Sequence, residues 1–182
     1  MRRKDREITD INEIKFLLKT TDTIRIGFND QPYPYIVPVS YGFEEKNNQI
    51  IIYFHGAREG KKTDLIEENN RVCIETDITN DYLETLNSVT CLYESIIGYG
   101  EVFKIENHEA KHGLDLILTH CGYRGYEYSD KCLENTAVYK IVIKEITGKK
   151  NIDNIIQWKK MFILNFFLGW KFIKSKKKVY IL

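Results

Sequence analysis

Residues 50–63 have the sequence Ile50-Ile-Ile-Tyr-Phe-His-Gly-Ala-Arg-Glu-Gly-Lys-Lys-Thr63. The apolar, β-branched run predicts a strand that ends at His55 and Gly56, and a glycine-containing turn then leads to a helix-like segment that starts at Lys61. The first backbone N–H groups of a helix have no partner within the helix, and the helix dipole favours negative charge there. This stretch therefore predicts a strand–turn–helix unit that binds an anion.

The charges in this stretch indicate what the anion is. Lys61 and Lys62 add point charges suited to a phosphate, and two cations at a helix N-terminus are electrostatically unfavourable without an anion. His55 is the group nearby that could exchange protons near neutral pH. The alternatives are a solvated helix face for the lysines and an ordinary strand-end position for the histidine. The favoured interpretation is a site for a phosphorylated small molecule.

Length and charge narrow the classes of protein. At 182 residues the chain is most simply one domain with a sizeable core. Residues 151–182 hold seven lysines and one aspartate, which leaves 20 basic and 25 acidic residues before them. A mildly acidic body argues against nucleic acid as a partner. The basic start of the chain lacks the apolar stretch of a secretory signal, and the four cysteines form no C-x-x-C pair. We therefore expect a cytoplasmic protein with buried or free thiols.

Hydrophobic periodicity predicts mainly strands. An amphipathic helix with an acidic capping box is expected over residues 10–20, and further helices near 61–69 and 107–120. Residues 77–89 are polar and are predicted to form a loop. The first three strands, joined by short connections, are typical of an antiparallel meander. Six strands with few helices indicate a small antiparallel barrel, and the strands are expected at residues 23–28, 35–41, 50–54, 71–76, 93–103 and 137–144.

Two other motifs do not match the sites that they resemble. The segment Gly56 to Thr63 is similar to a nucleotide P-loop, but three residues rather than four separate its glycines, and the neighbouring strands are predicted to be antiparallel. His108, His112 and His120 lie on one predicted helix, which would suit zinc by ligand type. No other ligand has clear spacing with them, so surface or helix-end histidines are the favoured interpretation and no metal is expected.

The C-terminal extension, residues 151–182, combines a very apolar stretch with a basic end. Its uninterrupted apolar run is shorter than the roughly 20 residues that a membrane span needs. Packing on the body or lack of order is favoured, while contact with a membrane surface through Trp, Phe and Lys side chains is open. Its role is not predicted.

An ordered set of motifs resembles one family. The motifs are residues 1–8, Pro34-Tyr-Ile-Val-Pro-Val-Ser-Tyr-Gly42, Tyr53-Phe-His-Gly-Ala57 with Gly60-Lys-Lys62, Arg71-Val-Cys73 and Ser95-Ile-Ile-Gly-Tyr-Gly100. Together they resemble the nitroimidazole-resistance (Nim-type) branch of the pyridoxamine 5′-phosphate oxidase-like flavoproteins over about residues 1–150. The resemblance implies a split β-barrel of mainly β (α+β) class with two to four flanking helices. It also implies FMN as the cofactor and a homodimer with the flavin at the subunit interface.

The resemblance also implies site residues. The lysines would meet the flavin phosphate, and His55 matches a histidine at the family's site, where it is a candidate catalytic group. Arg58 and Glu59 occupy a turn where the oxidase branch has a serine or threonine and an arginine. The full set implied to bind the cofactor is Val37, Pro38, Val39, Ser40, Phe54, His55, Gly56, Ala57, Lys61 and Lys62.

The activity implied is that of an FMN-dependent oxidoreductase. The protein would take electrons from NAD(P)H or another donor and reduce a small substrate such as a nitroimidazole or another nitro compound, with the redox chemistry carried by the flavin. The alternative from another class is a non-catalytic flavin- or haem-binding protein. Pyridoxamine-phosphate oxidation itself is less favoured because of Arg58, Glu59 and the sequence of residues 137–150.

Overall fold

The computed structural model describes residues 2–129, 133 and 135–152. A short 3-10 helix at Lys4–Arg6 precedes the main elements. The helices are α1 (Ile11–Thr20), α2 (Lys61–Glu68) and α3 (Asn107–His120). The strands are β1 (Glu7–Ile8), β2 (Ile24–Phe28), β3 (Tyr35–Val39), β4 (Tyr41–Lys46), β5 (Gln49–Gly56), β6 (Arg71–Thr85), β7 (Ser88–Ile105) and β8 (Ala137–Asn151).

Helix α1 confirms the prediction made from its capping box. Asp10 is the N-cap, and its Oδ1 atom accepts a hydrogen bond of 2.8 Å from the N–H of Asn12. The residues predicted to face inward, Ile14, Leu17 and Leu18, are buried. The cap satisfies a backbone donor at the helix start, and the apolar face supplies the packing that a ten-residue helix needs.

The strands form one antiparallel sheet in the order β3-β2-β6-β7-β8-β5-β4, and β1 pairs with β8. The two ends of this order, β3 and β4, are joined by the single residue Ser40. Between these two strands the described residues form no ladder. The sheet therefore curls back on itself without closing by hydrogen bonds, and the predicted split barrel is confirmed.

The predicted three-stranded meander is wrong. The segment over residues 35–41 is divided at Ser40, so β3 pairs with β2 while β4 pairs with β5 at the opposite end of the sheet order. The physical reason is a break in the alternation of burial. Val37 and Val39 are half-buried on one face, but Tyr41 and Gly42 are buried in succession, which one continuous strand with a single inner face cannot provide.

The predicted loop over residues 77–89 is also wrong. It is the outer part of a long hairpin in which β6 continues to Thr85 and β7 begins at Ser88. Most of its side chains are exposed, so polar residues occupy both faces and the apolar alternation that indicates a strand is missing. Its backbone ladder, with a bulge between Thr79 and Asp81, and side-chain hydrogen bonds such as that of 3.1 Å from Asn80 to Glu94 maintain the pairing. The division at Ser40 and the short strand β1, which was not predicted, raise the number of strands from six to eight.

The core has two parts. The larger lies inside the barrel and includes the fully buried Ile26, Ile52, Phe54 and Ile74. The smaller lies between α3 and strands β5 and β8, around Tyr53. Strand β5 contributes to both parts, which fixes its final residues, His55 and Gly56, at the end of a rigid element.

None of the helices in the described part of the chain is long and apolar enough to cross a membrane. Of the predicted C-terminal extension, Asn151 ends β8, and residues 153–182 lie outside the described residues.

Candidate functional site

The N-terminus of α2 is fixed on the barrel by a buried hydroxyl. Gly60 is the N-cap residue with φ +121°, a left-handed conformation that a side chain would strain. Thr63 is buried, and its Oγ1 atom lies 3.2 Å from the hydroxyl of Tyr139 on β8. Tyr139 in turn stacks on Phe54 with ring centroids 5.1 Å apart. The threonine thus anchors the first turn of α2, and its hydroxyl is engaged inside the protein.

Lys62 turns back over the end of β5. Its Nζ atom donates a hydrogen bond of 3.4 Å to the carbonyl of His55 and lies 5.3 Å from the centroid of the Phe54 ring. Burial lowers the pKa of Lys62. Within the described residues no carboxylate lies within ion-pair distance of this ammonium group. A half-buried cation whose contacts are a carbonyl and a ring is suited to accept an anion from outside the chain.

Gly56 makes room for that cation. A Cβ atom added at Gly56 would overlap the Nζ and Cε atoms of Lys62. The glycine therefore permits the ammonium group to lie directly against the end of the strand, and any larger residue would displace it.

We expect Gly56→Ala to weaken anion binding without unfolding the protein. The clash falls on the end of a flexible side chain, so Lys62 moves while the strand stays in place. With FMN, the cofactor that the resemblance implies, as the test ligand, the expected result is an affinity about tenfold lower, with a melting temperature within a few degrees of the wild type. Titration followed by flavin fluorescence, together with thermal unfolding, checks both statements. Unchanged FMN affinity would show that the position of Lys62 is unimportant.

Lys61 faces another part of the chain. Its Nζ atom forms an ion pair of 2.6 Å with Asp30, in the connection between β2 and β3, and lies 5.0 Å from the centroid of the Tyr35 ring at the start of β3. Its side chain is 56% exposed. The two lysines therefore connect the α2 N-terminus to both strands that were predicted to border the cofactor, Lys62 to β5 and Lys61 to β3.

The β3 residues of the predicted site lie on an edge strand. Pro38 is exposed and is paired in register with Arg25 of β2, which confirms the edge position that a proline in this strand predicts. Val37 and Val39 pack against the barrel core, so their backbone rather than their side chains is available to a ligand. Ser40 precedes Tyr41, which pairs with Phe54. Since His55 follows Phe54, the serine and the histidine lie at the same end of this ladder.

The junction at Ser40 is held by buried polar groups. The hydroxyl of Tyr41 donates to the carbonyl of Leu18 at 2.7 Å and lies 2.6 Å from Oγ1 of Thr21. Tyr41 is fully buried, and desolvation raises its pKa, so the phenol stays neutral. This bonding fixes the point where the chain crosses from β3 to β4 beside the end of β5.

His55 is a neutral histidine at the strand end. Burial lowers its pKa, and the nearby Lys62 ammonium lowers it further. The ring is therefore uncharged at pH 7, with one nitrogen as a donor and the other as an acceptor. A neutral ring can donate a hydrogen bond to a substrate through its N–H without placing a second positive charge beside Lys62.

The remaining residues of the predicted set have simpler positions. The side chain of Phe54 is fully buried against Tyr139, so a ligand can reach only its backbone. Ala57 is exposed in the turn after β5. Arg58 donates to the carbonyl of Leu133 at 3.5 Å, and Glu59 is exposed. Sequence reasoning missed Asp30, Thr63 and Tyr139, because their contacts join residues 31 to 76 positions apart and leave no local pattern.

The helix histidines have structural partners. His112 Nε2 lies 3.0 Å from a carboxylate oxygen of Glu44, and His120 Nε2 lies 2.8 Å from the carbonyl of Thr21. The other oxygen of Glu44 accepts a hydrogen bond of 2.7 Å from Tyr53. Both histidines thus attach α3 to the barrel. In the part of the chain that the structure describes, no three His, Cys, Asp or Glu residues are grouped as metal ligands.

Comparisons with known proteins agree with this geometry. A family model described as pyridoxamine 5′-phosphate oxidase matches residues 10–150. A candidate 5-nitroimidazole antibiotic resistance protein from Bacteroides thetaiotaomicron VPI-5482 is 30% identical, with 79% of this chain and 85% of that chain covered and a TM-score of 0.71. No protein with a curated description matches the chain.

More distant structures share the fold. The FAD and haem binding protein from Mycobacterium smegmatis is 14% identical, with 80% of this chain and 73% of that chain covered and a TM-score of 0.69. The flavocytochrome Anf3 from Azotobacter vinelandii is 16% identical, with 100% and 84% covered and a TM-score of 0.68. At these identities the likeness concerns the fold alone.

Proposed function

The chain belongs to the pyridoxamine 5′-phosphate oxidase family, and from that premise we propose that it is a flavoprotein that binds FMN and reduces a small oxidised substrate. The observation that carries this proposal is the cation arrangement at the N-terminus of α2. Lys62 is half-buried against the carbonyl of His55, and Lys61 reaches β3 from the same helix start. A phosphate group there would receive two ammonium groups together with the free N–H groups of a helix terminus.

The groups around the phosphate position suit the rest of a flavin. The end of β5 and the edge strand β3 both adjoin the α2 N-terminus, and each presents backbone that a flat ring system could lie along. Gly56 removes the side chain that would otherwise fill the space beside Lys62. The relative at 30% identity is described by 5-nitroimidazole antibiotic resistance, which supports a reductase over a protein that only binds a phosphorylated metabolite.

The chemistry divides between cofactor and protein. FMN supplies two-electron redox chemistry, with NAD(P)H as the proposed donor and a nitroimidazole or another nitro compound as the proposed acceptor. The lysines bind and orient the phosphate. His55, neutral at pH 7, carries one ring N–H beside the site that can donate a hydrogen bond to the substrate as negative charge develops on it, while the protons that reduction consumes come from water.

We expect His55→Ala to retain flavin but lose turnover. FMN affinity should stay within about threefold of the wild type, since the phosphate contacts come from α2. Reduction of the substrate should slow by about 100-fold, the usual contribution of one positioned hydrogen-bond donor to developing negative charge. Flavin titration and anaerobic single-turnover kinetics with NADPH and a 5-nitroimidazole measure the two quantities. His108→Ala, an exposed histidine on α3, is the matched control.

Two results would contradict this role for the protein. Full turnover of His55→Ala would remove the histidine from the chemistry. A wild-type protein that binds FMN but is reduced by neither NADH nor NADPH would favour the non-catalytic carrier over the reductase.

We also propose that the chain functions as a homodimer. The outer face of β2, β6 and β7 carries a cavity of about 920 Å³, bordered by Gly27, Cys73 and Tyr99. Large apolar side chains are exposed on this part of the surface, among them Ile36 at 61% and Tyr99 at 52%. Patches of this kind mark interaction surfaces. Sedimentation equilibrium should give twice the chain mass of 21.5 kDa, and a monomer at micromolar concentration would contradict the proposal.

A further inference from the structure

Lys61 already has an internal partner, because Asp30 of the same chain forms an ion pair with it. Its Oδ2 atom lies 2.6 Å from the Lys61 ammonium, and its Oδ1 atom accepts a hydrogen bond of 2.9 Å from the N–H of Gln31. The Asp30 side chain is 19% exposed, whereas that of Lys61 is 56% exposed. The carboxylate is therefore held in place by its own loop, and the lysine is the partner that is free to move.

The pair gives the first cation of α2 an internal counter-ion. The hydrogen bond from Lys61 lowers the pKa of Asp30, so the carboxylate is ionised at neutral pH. Lys61 is the first residue of α2, and its ammonium group is the atom that the carboxylate contacts. The positive charge that the sequence places at this helix start is thus partly neutralised before any ligand binds.

A phosphate monoester at this position would be attracted by one side chain of the ion pair and repelled by the other. The dianion is attracted by Lys61, but it must share that cation with a fixed carboxylate that repels it. Lysine is a flexible point charge with three donors and does not need a carboxylate to orient it toward phosphate. Removal of the Asp30 charge should therefore take away repulsion and release a cation while leaving the phosphate contacts intact.

We propose that Asp30 is an internal competitor of the FMN phosphate for Lys61 and that it limits the affinity of the protein for phosphorylated flavin. This inference rests on the flavin-binding function proposed above. The competition acts on the charge of the phosphate and not on the ring system. Asp30 is thereby a residue that determines how strongly the protein prefers FMN over riboflavin, which has no phosphate.

The test compares FMN and riboflavin on wild-type protein and Asp30→Asn by flavin fluorescence titration. For FMN we expect the Kd of the variant to be about tenfold lower, as removal of one unit charge near a dianion predicts. For riboflavin we expect a Kd within twofold of the wild type. Glu68→Gln, which removes the same charge at the far end of α2, is the matched control and should change neither Kd by more than twofold.

A double-mutant comparison shows whether the effect of Asp30 on FMN affinity depends on Lys61. In a Lys61→Gln background the gain from Asp30→Asn should shrink to about threefold or less, because only the direct repulsion remains. Asp30→Ser, which keeps an acceptor for the N–H of Gln31, should reproduce the tightening and covers the case in which the asparagine variant is poorly folded.

The outcomes separate this inference from the function on which it rests. If wild-type protein binds FMN no more tightly than riboflavin, the phosphate site and the competition both fail. If wild-type protein prefers FMN but Asp30→Asn and Asp30→Ser bind it equally or more weakly, the function stands and the competition is overturned. An undiminished gain in the Lys61→Gln background also overturns it.

Discussion

The double substitution Lys61→Gln and Lys62→Gln is expected to weaken FMN binding at least about 100-fold. Charge-assisted hydrogen bonds are each worth roughly 1.5–3 kcal/mol, and both ammonium groups would be lost from the phosphate position together. Lys62 contributes the larger share because its ammonium is half-buried, while Lys61 is exposed and already paired with Asp30. Equilibrium titration with FMN measures the loss, and riboflavin affinity should change by less than about threefold.

A matched control distinguishes local binding from net charge. Lys46 lies at the other end of the β4–β5 hairpin, where it pairs in register with Gln49, so Lys46→Gln removes a charge far from α2. Its FMN affinity should equal that of the wild type. Equal losses of FMN and riboflavin affinity in the double variant would contradict a phosphate site at these lysines.

The substitution Gly42→Ala is expected to destabilise the fold by about 3 kcal/mol, or to lower the melting temperature by roughly 10 °C. A Cβ atom at Gly42 would lie 2.5 Å from the backbone carbon of Leu116 and 2.6 Å from the nitrogen of Ile117. Backbone of a packed helix cannot move aside as a side chain can. Helix α3 would have to shift away from β4, which opens the smaller core around Tyr53.

Gly27→Ala is the matched control for this prediction. The nearest atom to a Cβ at Gly27 is the carbonyl oxygen of Cys73 at 3.6 Å, an ordinary contact. Its free energy of unfolding in urea should stay within about 0.5 kcal/mol of the wild type. Similar stabilities for the two alanine variants would show that α3 does not pack on β4 as closely as described.

Local patterns predicted the elements but not how they are joined. Helix α1 follows from its cap and its apolar spacing, because both signals lie within ten residues. The division at Ser40 does not follow, since apolar residues that favour strands stand on both sides of it. The outer part of the β6–β7 hairpin was missed for the opposite reason. Most of its side chains are exposed to water, so its polar sequence cannot be distinguished from that of a loop by hydrophobic pattern.

The site shows the same limit at the level of single residues. The glycines, the histidine and the two lysines are adjacent in sequence, so their grouping at one strand end and one helix start could be predicted. Their partners could not. Asp30 reaches Lys61 from the β2–β3 connection, and Tyr139 reaches Thr63 from the last strand. The sequence therefore indicated a site with two free cations, whereas in the structure one of them has an internal partner.

The absorbance spectrum of the purified protein, recorded after incubation with FMN and removal of unbound cofactor, shows whether the protein binds FMN through Lys61 and Lys62. We expect the two visible and near-ultraviolet bands of oxidised flavin to remain with the wild-type protein and to be absent from the Lys61→Gln, Lys62→Gln variant. A wild-type spectrum without flavin bands would contradict the proposed cofactor. A Soret band from co-purified haem in its place would identify the protein as a haem binder on the same fold.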